Sequence, residues 1–171
     1  MAIVNINVSV TNPPKPSQLL KSGAMISMGG TTLNAGEYQL LTSETYLADI
    51  LAPAKTISTL AWDTGVVTVT LAAAHGWTNG SLVPVIISGA TPAGYNGAYT
   101  ATVTGTNTFT YPLTTNPGTA TAMGTVKTVV QTEISQMNTS LWAQGKTRAV
   151  YVLELGDVDM EAAVAALTTF I

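Results

Sequence analysis

The sequence predicts a mixed α+β protein: a layered α/β domain assembled from two flanking stretches and interrupted by a small all-β sandwich or barrel. Three observations carry this. Residues 56–126 are rich in Thr, hold Asp63 as their only charge and show no helical period, unlike the stretches on either side. The middle of that stretch, from His75 to Leu113, reads as short strands of period two parted by turn residues, the signature of a small sandwich or barrel. Helical spacing returns at Lys127, so the flanks run strand, strand, helix before the interruption and helix, strand, helix after it. The expected organisation is an arm over residues 1–16, a discontinuous α/β domain of residues 17–55 plus 127–171, and an inserted β module over 56–126.

In the arm, Val4, Ile6, Val8 and Val10 alternate with Asn5, Asn7 and Ser9, which predicts a strand with one apolar face. Asn12-Pro13-Pro14-Lys15-Pro16 follows, stiff and poor in backbone donors, and separates that strand from the next element. An arm of this kind pairs at home or with a neighbouring subunit, and these four apolar residues are the candidate inter-subunit contact. Gly23 to Met28 is a short apolar run closed by Gly29-Gly30, and Tyr38 to Leu41 is a second strand after the turn residues 34–36. A helix is expected next, with Ser43 as N-cap, Glu44 at its positive end, Tyr46, Leu47, Ile50 and Leu51 on one face, and Pro53 as the stop.

Within the insert, Thr64-Gly65 turns between strands at Ile57 to Trp62 and Val66 to Leu71. Leu82 to Ser88 is a β-branched run ending at Gly-Ala-Thr-Pro. Ala98 to Thr104 alternates Tyr99, Ala101 and Val103 with threonines, and Thr108 to Tyr111 repeats the period. Asn96-Gly97 and Gly105-Thr106-Asn107 provide the residues that tolerate positive φ in hairpins. Thr114 to Gly118 is a loop, and Ala120 to Val126 is expected to close the module.

After the insert, Val130, Ile134, Met137 and Leu141 share one face of a helix from Lys127 that ends at Gly145. Ala149 to Leu153 is expected to be a strand buried on both faces. Asp157 and Asp159 suit a helix start, and Met160, Val164, Leu167 and Ile171 line one side of the helix that follows. The chain stops at Thr169-Phe170-Ile171 without a C-cap, which suggests a fragment.

Composition narrows the function. Charged residues make up 9% of the 171 residues and the net charge is −3, so the sequence carries no basic footprint for nucleic acid or anionic lipid. No apolar run approaches a membrane-spanning length, and the first ten residues lack the basic and apolar regions of a secretory signal, which predicts no membrane insertion and synthesis in the cytosol. A surface so poor in charge lacks the usual brake on self-association. No cysteine is present, which removes disulfides and thiolate chemistry.

Catalytic and metal signals are weak. His75 is the only histidine and reads as a structural or surface residue, not as a general base. Asp157-Val158-Asp159-Met160-Glu161 lacks the Gly and the spacing of a calcium loop, and Gly29-Gly30-Thr31-Thr32 lacks the phosphate-loop pattern and reads as a turn. No enzymatic role, metal or cofactor is expected. Trp62, Trp77, Tyr95, Tyr99, Phe109 and Tyr111 are expected mainly to pack the module, with Trp77 and Tyr95 the candidates for exposed rings that stack on carbohydrate.

Joined across the insert, the flanks resemble the N-terminal part of contractile tail sheath proteins of bacteriophages and related injection machines. The resemblance is carried by the apolar strand before Thr42-Ser43 and a short helix, by the helix from Lys127 to Gly145, and by Gly145-Lys146-Thr147-Arg148-Ala149-Val150-Tyr151-Val152-Leu153. Sheath subunits commonly have a Gly, a basic residue and an apolar xxVYVVxV strand there, followed by a helix such as Val158 to Ile171. The insert is similar to a small β module of phage tail and baseplate proteins, through His75-Gly76-Trp77, Ile87-Ser88-Gly89-Ala90, Tyr95-Asn96-Gly97 and Asn107 to Tyr111. The chain departs from sheath proteins in being much shorter, without the domain that carries the family's principal contacts. The resemblance implies a structural virion protein of the phage tail, assembled in the host cytoplasm, whose partners are other copies of itself and tail tube and baseplate proteins. The alternative it leaves open is a baseplate or adhesin module that binds cell-surface carbohydrate through the insert.

Overall fold

The computed structural model describes residues 23–144 and 149–156. The arm strand with Val4, Ile6, Val8 and Val10, the Gly145 cap and the helix over 158–171 lie outside the described residues. What is described is mixed α+β and mostly strands: a closed six-stranded barrel, a separate three-stranded sheet and few helices.

The barrel contains β3 (Lys55–Asp63), β4 (Val66–Leu71), β5 (Leu82–Ser88), β6 (Gly97–Val103), β7 (Thr108–Pro112) and β8 (Thr125–Thr128), closed in the order β3-β4-β7-β6-β5-β8. The period-two pattern explains its core. Val67, Val69 and Leu71 of β4, Val83, Val85 and Ile87 of β5, Ala101 and Val103 of β6, and Phe109 and Tyr111 of β7 all point inward and are buried. In β3 the inward residues Ile57 and Leu60 are three apart, which strict alternation forbids. A register shift between Ile57 and Thr59 resolves this by making Ser58 the extra residue, and its hydroxyl donates to the Thr70 carbonyl at 2.9 Å. Thr64 and Gly65 turn between β3 and β4 with φ of 45° and 90°, as the sequence predicts for that hairpin.

Asn96-Gly97 does not form a hairpin tip. Asn96 clamps the longer β5–β6 connection instead, accepting from the Ala90 N–H at 2.8 Å and donating to the Ala90 carbonyl at 2.9 Å. The closing strand is Thr125–Thr128, later and shorter than the expected 120–126, and it joins β3 to β5. Lys55 lies opposite Val126, so the chain enters and leaves the barrel on adjacent strands.

The second sheet has the order β1 (Gly23–Ser27), β9 (Val150–Glu154), β2 (Tyr38–Leu41), with β1 parallel and β2 antiparallel to β9. β9 alternates between buried Val150, Val152 and Glu154 and half-buried Tyr151 and Leu153, so it is closed on one face and partly open on the other, not buried on both. Helix α2 (Val129–Ala143) covers the closed face, where Ile134 joins Met25, Leu41, Leu47, Val150 and Val152 in a second core. It starts two residues after Lys127 because Lys127 and Thr128 belong to β8. Thr128 is its N-cap, and the Gln131 side chain reaches back to accept the Thr128 N–H at 2.7 Å.

Of the expected stripe on α2, Ile134 is buried but Met137 is 40% exposed. Gln131 and Asn138 are buried in its place, because their amides satisfy loop carbonyls: Gln131 donates to Ala52 and Asn138 to Glu44, each at 2.9 Å. The helix expected from Ser43 is a 3-10 turn (Glu44–Tyr46) running into the single turn α1 (Leu47–Ile50), which buries Leu47 alone. Pro53 and the return to β3 leave it no room to extend.

Candidate functional site

Two places gather polar groups inside the fold. The first is a crevice of about 270 Å³ where the barrel meets α2, lined among others by His75, Trp77, Lys55, Lys127 and Gln131. The loop after β4 carries His75 into it, tied by the His75 N–H to the Thr106 carbonyl at 3.1 Å. His75 is buried, and its ring stacks on Trp77 with centroids 4.7 Å apart. Its Nδ1 accepts the Trp77 N–H at 3.0 Å, so in the neutral ring Nε2 carries the proton, and that buried N–H has no partner among the described residues. Through the Nδ1 bond His75 fixes its own turn. Among the described residues no carboxylate lines the crevice; its charged side chains there are Lys55 and Lys127. Nor does any group of three or more His, Cys, Asp or Glu among the described residues lie close enough together to hold a metal ion.

The second place is the buried carboxylate of Glu154. Its Oε1 accepts from the Gly29 and Gly156 N–H groups at 2.7 Å each, and its Oε2 from the Thr31 N–H at 3.1 Å and the Thr31 hydroxyl at 2.7 Å. Burial pushes the Glu154 carboxyl up, but donation from Gly29, Thr31, Ser27 and Gly156 outweighs it and holds the group below the usual value of 4.5. The Gly29-Gly30-Thr31-Thr32 turn does cradle an anion, and that anion is the chain's own. A Cβ at Gly30 would lie 2.9 Å from the Ser27 hydroxyl oxygen and 3.1 Å from Val130, so a larger residue there would have to displace those side chains. The cradle staples the loop after β1 to the end of β9, and its donors are spent on that bond.

The signal for this pair was present in the sequence. Glu154 continues the alternation of Val150 and Val152, which places a carboxylate on the buried face of a strand and demands donors. Nothing local identified Gly29 and Thr31 as those donors.

The rings named as exposed candidates separate. Trp77 is half-buried between His75 and Phe109, whose centroid lies 5.7 Å away. Tyr95 is 1% exposed, and its hydroxyl donates to the Gly118 carbonyl at 2.7 Å, so the expectation of an exposed ring at Tyr95 is corrected: the 3-10 turn Ala93–Tyr95 folds it into the barrel. Tyr111 stacks on Tyr99 at 4.2 Å and donates to the Tyr95 carbonyl at 3.2 Å, and burial pushes its phenol up. Trp62 donates its indole N–H to the Leu113 carbonyl at 2.7 Å. The aromatic set is engaged in packing, and Trp77 and Tyr95 line different cavities. The chain matches no protein-family model, no curated protein and no solved structure.

Proposed function

We propose that this protein is a structural, self-assembling subunit of a contractile phage tail sheath, acting through packing between copies and not through bond chemistry. In this reading the flanks form one layered α/β domain, and the barrel is an insertion carried on its outside. Tail tube and baseplate proteins are the other partners, and the virion is its location.

The observation that carries the reading is the outside of the small sheet. Among the described residues its outer strands are β1 and β2, whose sequences GAMIS and YQLL contain neither charge nor proline. Strands at a sheet edge ordinarily carry such residues to prevent addition of a foreign strand, and edges without them favour it. The alternating sequence of the arm, with Val4, Ile6, Val8 and Val10, suits pairing with such an edge in a neighbouring copy. The low charge of the whole chain acts in the same direction. The carbohydrate-binding reading is not favoured, because Tyr95 is inside the barrel.

Sedimentation velocity tests the proposal. The unaltered chain should form large species as concentration rises, and Gln39→Lys, which places a charge on exposed β2, should shift the distribution to monomer. A monomer at every concentration, or polymers indifferent to the lysine, would count against it.

A further inference from the structure

The crevice where the barrel meets α2 gathers more donors and positive charge than the fold itself uses. His75 is 5% exposed, and with Nδ1 occupied by the Trp77 N–H the proton of its neutral ring sits on Nε2. That buried N–H has no partner among the described residues, which is a costly state for a donor. Lys55 lines the same crevice. Cross-strand partners share a face, so its pairing with buried Val126 turns Lys55 toward the barrel interior, where it is half-buried. No carboxylate of the described residues lines the crevice to pair with its ammonium.

Helix α2 adds to the same field. Its 15 residues leave the first N–H groups without intrahelical partners and concentrate partial positive charge at that end, and Val130 of the first turn lines the crevice. Gln131 holds this turn against the loop before β3 by donating to the Ala52 carbonyl at 2.9 Å. The Gly29 and Thr31 N–H groups do not contribute, since both are spent on Glu154. Much of the remaining lining is apolar, including Trp77, Val83 and Val126. The crevice, at about 270 Å³, exceeds the roughly 150 Å³ that encloses a benzene ring, which leaves space for a charged head.

We propose that this crevice is a binding site for a small organic anion. The apolar body lies against Trp77, Val83 and Val126, and a carboxylate or phosphate head accepts from the His75 Nε2–H and the Lys55 ammonium beside the α2 N-terminus. His75 and Trp77 belong to the loop between β4 and β5, outside the barrel ladders, so a side-chain adjustment on binding opens Nε2 to the head. The inference does not depend on the sheath reading.

His75 is the single histidine of the chain, so its ring gives one assignable signal. Proton–nitrogen NMR of the full chain would follow that ring and the Trp77 and Val130 backbone N–H groups during titration with benzoate, phenyl phosphate and neutral benzamide. The proposal expects saturable shifts of all three groups with at least one of the anions and none with benzamide; the anion that binds more tightly identifies the head. Lys55→Met should weaken that binding at least about tenfold, because a charge-assisted contact is lost. Lys127→Met, on an exposed position of β8, should weaken it less than about threefold, because solvent screens that charge. His75→Asn retains an acceptor for the Trp77 N–H but removes the Nε2 donor, and should cost about tenfold in affinity. The amide spectrum shows whether each variant is folded, and Lys55→Met decides the matter if His75→Asn is not. Absence of saturable shifts with both anions, equal shifts with benzamide, equal losses at Lys55 and Lys127, or unchanged binding by folded His75→Asn would each overturn the proposal.

Discussion

Replacing Glu154 by Gln tests the buried cradle with almost no change of shape. The carboxylate takes five donors: the Gly29 and Gly156 N–H on one oxygen, the Thr31 N–H and hydroxyl on the other, and the Ser27 hydroxyl beside them. An amide keeps one oxygen. With its nitrogen toward Thr31 the hydroxyl can rotate and accept, but the Thr31 N–H then faces a donor; with its nitrogen toward the glycines, two N–H groups are orphaned. The cheaper arrangement costs one unmet buried N–H, about 1–3 kcal/mol, plus the weakening of the remaining bonds from charge-assisted to neutral. A total loss of about 2–4 kcal/mol follows, a large part of an ordinary domain's stability. Urea unfolding followed by Trp142, which packs against the second core, should show a midpoint lower by about 1–2 M. The pH dependence has a definite sign. Because the folded carboxyl titrates below 4.5, its stabilisation is complete above that value and is lost as pH falls through the lower folded value. The gap in stability between the unaltered chain and Glu154→Gln should therefore close in acid. A loss below about 0.5 kcal/mol at neutral pH, or a gap independent of pH, would refute the reasoning.

Other outcomes follow from the barrel. Gly124 has φ of 71°, and a Cβ there would run into the Ser88 carbonyl oxygen and lie 2.7 Å from the Ala90 nitrogen, so Gly124→Ala should cost at least about 2 kcal/mol in thermal unfolding. Gly36→Ala, at φ of 86° but with open space around it, should cost only about 1–2 kcal/mol; equal losses would show that contact with β5 is unimportant at Gly124. Excising the barrel by joining Ala54 to Lys127 through a short Gly-Ser linker keeps the Thr128 cap and should leave a flank protein that unfolds cooperatively. A non-cooperative product would show that the two cores fold only together.

Val66 to Leu71 and Leu82 to Ser88 match the observed strands because their alternate positions meet the barrel core, and Tyr38 to Leu41 matches as a short run following the turn residues 34–36. Closure into a barrel was not legible as against a sandwich, since both use the same alternation and differ only in which strands meet. The boundary at Lys127 slipped because Thr125–Thr128 has too few residues to show a period and runs directly into the N-cap of α2. The helix after Ser43 was overestimated because four apolar residues at helical spacing occur in a segment whose ends are fixed by neighbouring strands. The parallel pairing of β1 with β9 and the Glu154 cradle join residues more than a hundred positions apart, and local pattern carries no such information.

Negative-stain electron microscopy of the purified chain at rising concentration tests the central claim most directly. The account predicts sleeves or helical tubes with a regular outer row of knobs, and the same tubes without knobs when residues 55–126 are replaced by the linker. Dispersed single particles at every concentration, or tubes whose outline is unchanged by the excision, would contradict it.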